Sequence, residues 1–117
     1  MIDPAFARLP GADIVDRGLN DLQSSRDLQS SRLSLEALLV CIGRPRLQRL
    51  GLAFPPASTL PVRPEHALYE RLLGSDERDA HSKYNALVRR LVSFERAAEA
   101  VRMRESRASS RSDSTPQ

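Results

Sequence analysis

The chain has no tryptophan, only two tyrosines and three phenylalanines, and a single cysteine among its 117 residues. So few aromatics leave little on which bases could stack, which disfavours recognition of single strands on aromatic platforms. The lone thiol, Cys41, allows no internal disulfide and fits a reducing compartment. No run approaches the roughly 18 uncharged apolar residues that a membrane span needs. The opening Met1-Ile2-Asp3-Pro4 has neither the basic nor the apolar region of a secretory signal. The expectation is a cytoplasmic protein without a membrane segment. A glycine-rich phosphate loop, an HExxH and a GxSxG are missing as well.

Lysine is also scarce. Lys83 stands alone beside 17 arginines. Arginine does not titrate below about pH 12, so a net charge of only +3 suffices for a pI near 9.7 without a strongly basic surface. By segment the charge is −1 for residues 1–32, +2 for 33–60, −2 for 61–82, +3 for 83–105 and +1 for 106–117. The basic excess therefore sits in two modest stretches, and any nucleic-acid contact should be sought there.

What is present reads as helix. Apolar residues at 40% and charged ones at 28% suit one small folded domain. Pro4, Pro10 and Gly11 mark residues 1–12 as a flexible N-terminus. Asp13 can cap a first helix over 14–24, with Val15, Leu19 and Leu22 on one face. Gly18 inside it carries the usual propensity cost of ~1 kcal/mol. Residues 21–26, DLQSSR, are repeated letter for letter in 27–32. Six residues turn a helix by about 240° net, so Leu22 and Leu28 cannot share a stripe, and the second copy is expected in a connector.

Ser34 is the expected N-cap of a second helix, with Leu33 and Leu38 placed as a hydrophobic staple and Gly43 as its stop. A short third helix follows Pro45 and closes at Gly51. Four prolines in 52–64 exclude regular structure and define a crossover, pinned by Phe54, Leu60 and Val62. Pro64 opens a fourth helix that stops at Gly74. A last helix over 80–104 carries Tyr84, Leu91, Ala98 and Leu87, Phe94, Val101 at seven-residue spacing. Residues 106–117, rich in serine and arginine, read as a disordered tail.

The fold class is thus all-α: a bundle of four to five helices over 13–105 with the long C-terminal helix as its spine. The expected core is Leu38, Leu39, Ile42, Leu47, Leu50, Leu68, Leu72, Leu87, Leu91 and Phe94.

Reactive side chains are densest at Asp79-Ala80-His81-Ser82-Lys83-Tyr84-Asn85, where free N–H groups at a helix start could meet an anion. Ser82 and His81 are neighbours, so about 100° of helix separates them and no local dyad forms. His66, His81 and Cys41 do not share a metal-ligand spacing. No enzyme, cofactor or metal is expected.

A core drawn from roughly 90 residues is thin, so self-association or docking is expected, through Ala98, Val101 and Met103 at the far end of the last helix. The function expected is a non-enzymatic helical protein-interaction or regulatory module, an accessory protein of the antitoxin kind, working as a homodimer or on a protein partner. The alternative is a small DNA- or RNA-binding protein using Arg44, Arg46 and Arg49 on the third helix, or Arg89, Arg90 and Arg96 on the last. Against that alternative, Glu95 and Glu99 are interspersed with the last three arginines.

Overall fold

The computed structural model describes residues 2–24, 33–75 and 77–113, with side chains as far as Ala108. Five α-helices follow one another: α1 (Ala12–Ser24), α2 (Leu35–Ile42), α3 (Arg44–Arg49), α4 (Pro64–Ser75) and α5 (Ala80–Asp113). Single 3-10 turns at Pro4–Phe6 and Ala57–Thr59 precede α1 and α4, and the described residues include no strand. The fold is all-α, as its periodicities require.

Its centre is α2 rather than the long α5. The segment LEALLVCI is apolar on every side, and such a helix must be buried on every side. Ala37 through Cys41 are all buried. The helix starts where the sequence places it, with the Ser34 hydroxyl accepting the Ala37 N–H at 3.1 Å and Leu33 and Leu38 both fully buried. Helices α1 and α4 pack on α2, and α5 closes against α4.

The Asp21 carboxylate accepts the Ser34 N–H at 2.9 Å, tying the end of α1 to the start of α2. The second DLQSSR copy lies between them, outside the described residues. Helix α1 begins at Ala12, so Asp13 sits within its first turn rather than capping it.

The N-terminal segment departs most from expectation. Residues 2–12 are not loose. Ile2 and Phe6 are buried, the Ile2 N–H is held by Asp16 at 2.9 Å, and the Phe6 ring meets Phe94 edge-on at 5.9 Å. Together with α3, this segment packs along α5 from Phe94 to Arg102. Ala98 is therefore fully buried and Val101 half-buried within the same chain.

Of the expected core, Ile42 and Leu87 are only half-buried and the other eight residues are buried. The crossover is pinned by Leu52, Leu60 and Phe54, but Val62 is 94% exposed and pins nothing. Helix α5 runs past its expected end at Arg104 to Asp113, and from Met103 to Ala108 its side chains are exposed.

Candidate functional site

Helix α5 carries most of the charge of the basic stretch, and the fold sorts that charge by sign. Two arginine clasps hold the helix to the body. In the first, Arg46 of α3 donates through Nη1 to Glu95 at 3.2 Å and through Nε to Glu99 at 2.8 Å. Glu95 is 3% exposed. It fits because residue 43 is glycine: a Cβ there would stand 2.9 Å from the Glu95 Oε2. In the second clasp, Arg102 donates from Nε and Nη2 to the Leu50 carbonyl at 3.1 and 2.9 Å. The same guanidinium reaches Asp3 at 3.0 Å and Glu105 at 2.9 Å, and lies 4.5 Å above the Phe6 ring. One side chain thus joins the N-terminus, the end of α3 and α5.

A cavity of about 400 Å³ opens between the clasps, lined by Arg46, Arg49, Leu50, Glu99, Arg102 and Met103. Two of its three arginines, Arg46 and Arg102, are already committed to carboxylates.

Burial pushes Glu95 above the usual carboxylate range; Arg46 opposes this and Glu99 adds to it. Desolvation outweighs the attraction because Arg46 is shared with a second carboxylate. A group raised by folding adds stability that is complete below its ordinary value of 4.5 and is lost as pH climbs through the folded-state value. Glu95→Gln should therefore raise the melting temperature at pH 7 and flatten its decline above pH 4.5. Circular dichroism melts between about pH 4 and 8 check this. A lower melting temperature at pH 7 would show that the ionised pair outweighs its desolvation.

The arginines singled out in the sequence separate into three groups. Arg46 is consumed by its clasp. Arg44 bonds Gln48 at 3.3 Å, Arg49 bonds the Pro45 carbonyl at 3.2 Å, and Arg90 pairs with Asp13 at 3.4 Å. Helix α3 is only six residues long and its middle arginine is turned inward, so Arg44, Arg46 and Arg49 do not share one free face. Arg89 and Arg96 point into solvent, and among the described residues neither has an ion-pair partner. Glu95 and Glu99, expected to be interspersed with them, face α3 instead.

At 100° per residue, Arg89, Arg96 and Arg107 fall within about 20° of one line and Arg104 within about 60°. Glu95, Glu99 and Glu105 are at least about 80° off that line. Between the arginines the exposed positions are Ser93, Ala100 and Met103, with Ser82 and Ala86 before them. Arg104 and Arg107, which continue the row of Arg89 and Arg96 in the sequence, belong to this face, whereas Arg102 of the same row is taken into its clasp.

The remaining candidates stay apart. Ala98 and Val101 are taken up by the core, and only Met103, 56% exposed, remains at the surface. His81 bonds Asn85 at 3.1 Å and His66 pairs with Glu70 at 3.0 Å, each one turn along its own helix. Burial pushes the Cys41 thiol up to about 11, so it is not a nucleophile at neutral pH. The described residues contain no group of metal-ligating side chains and no helix long and apolar enough to cross a membrane. The chain matches no family model, no curated protein and no solved structure.

Proposed function

We propose that this protein is a non-enzymatic helical interaction module that meets its partner through the outward face of α5. One observation carries this reading. The carboxylates of α5 from Glu95 to Glu105 turn toward the body or pair with Arg102, while Arg89, Arg96, Arg104 and Arg107 are left on one strip with no ion-pair partner among the described residues. The inward turn of Glu95 and Glu99 clears acid from the outer face. The expected docking edge at Ala98, Val101 and Met103 narrows to Met103, which lies on this same strip.

In-cell photo-crosslinking tests the proposal. Ala100, exposed at the middle of the strip, is replaced by a diazirine amino acid, and Glu65, exposed on α4, is replaced likewise as a control. A discrete adduct is expected from position 100 and none from position 65. No adduct at either position, or the same adducts at both, overturns the assignment of the face.

A further inference from the structure

Resting on that assignment, we infer that the partner of the α5 face is the phosphate backbone of double-stranded DNA. Four guanidiniums lie along the strip from Arg89 to Arg107, about 27 Å of helix. None has an ion-pair partner among the described residues, and no acidic side chain shares the line. Duplex DNA offers one negative charge per roughly 1.7 Å of axis, so a strip of this length meets several phosphates.

Three features favour a DNA duplex over other nucleic acids. The face carries no aromatic side chain, so it has nothing on which to stack the bases of a single strand. Between the arginines it presents Ser93 and Ala100, short side chains that let the helix backbone approach the groove. Serine adds a donor for phosphate oxygens. An α-helix enters the B-form major groove, about 12 Å wide, but not the deep, narrow major groove of an RNA duplex.

From Met103 to Ala108 the side chains of α5 are exposed, so this end of the strip is open to a partner. At the other end, Arg90 is drawn aside by Asp13 and does not join the strip. The chemistry on offer is charge and hydroxyl, without the amide side chains that read adenine. The inferred contact is to the phosphate backbone; any base preference would come from the arginines, which can read guanine.

The test is a fluorescence-anisotropy titration of the full chain with a mixed-sequence 30-base-pair duplex at several salt concentrations. Four phosphate contacts give a slope of log K against log salt of about −3.6, or a loss of ~100-fold between 50 and 200 mM. Replacing Arg89, Arg96, Arg104 and Arg107 by glutamine should bring the slope close to zero. The melting temperature should not change, since all four side chains lie in solvent. A control that removes four exposed arginines elsewhere, Arg8, Arg17, Arg49 and Arg63, should keep most of the slope.

The inference falls if the wild type does not bind the duplex at 50 mM salt, or if both variants weaken equally. It also falls if a single strand or an RNA duplex binds tighter than DNA. A protein adduct from position 100 together with no duplex binding would remove DNA as the partner and leave the interaction face standing. No adduct at all would remove both.

Discussion

Replacing Phe6 by alanine should destabilise the fold by about 3–5 kcal/mol, the usual cost of emptying an aromatic site that cannot collapse. Phe6 is fully buried, meets Phe94 edge-on at 5.9 Å and carries the Arg102 guanidinium 4.5 Å above its ring. Truncation removes the aromatic pair and uncovers one side of the clasp that holds the end of α3. Against the 5–15 kcal/mol that holds a typical small domain together, this is a large fraction. Thermal melts should show the transition lowered by well over 10 °C, at 4–8 °C per kcal/mol. An unchanged melting temperature would mean that residues 2–6 do not belong to the core.

Gly18→Ala should also destabilise, although the substitution raises intrinsic helix propensity by about 1 kcal/mol. At this position α1 crosses α2 so closely that a Cβ would stand 2.4 Å from the Glu36 carbonyl oxygen and 2.8 Å from Val40. The obstruction is backbone on the central helix, which cannot turn aside as a flexible side chain would. Overpacking of this kind costs about 1–3 kcal/mol, at times more, and a backbone clash belongs at the upper end. A net loss of about 2 kcal/mol is expected by urea denaturation. Gly74→Ala is the matched control, because nothing lies within 4 Å of the added atom. Equal and small effects at both sites would show that the two helices do not approach so closely.

The helices were legible wherever punctuation and period agreed. Ser34 caps α2, Pro64 opens α4, and the heptads of α5 place Leu91 and Phe94 in the core. The central place of α2 follows from its apolar residues on every side, once a helix of eight residues is asked where each of them can go. The N-terminal segment was misread because proline and glycine signal a break in helix, not exposure. Phe6 is a single aromatic without a periodic neighbour, and only a tertiary partner shows that it is buried. Gly18 reads locally as a weakness and spatially as a requirement, since the close crossing involves a residue 18 positions away.

The charges of α5 divide in the same way. Their composition is visible in the chain, but their sorting depends on Arg46 and Arg102 reaching across the fold. Linear proximity put Glu95 and Glu99 beside Arg96 and suggested a mixed, solvated face. The helix turns those carboxylates onto α3 and leaves the arginines outside.

That sorting is the central claim, and arginine accessibility measures it most directly. The folded protein is treated briefly with phenylglyoxal, and the modification of each arginine is followed by mass spectrometry. Arg89, Arg96, Arg104 and Arg107 should react at the rate of free arginine, while Arg46 and Arg102 are protected until the protein unfolds. Arg46 and Arg102 reacting as fast as Arg96 in the folded protein would contradict the account.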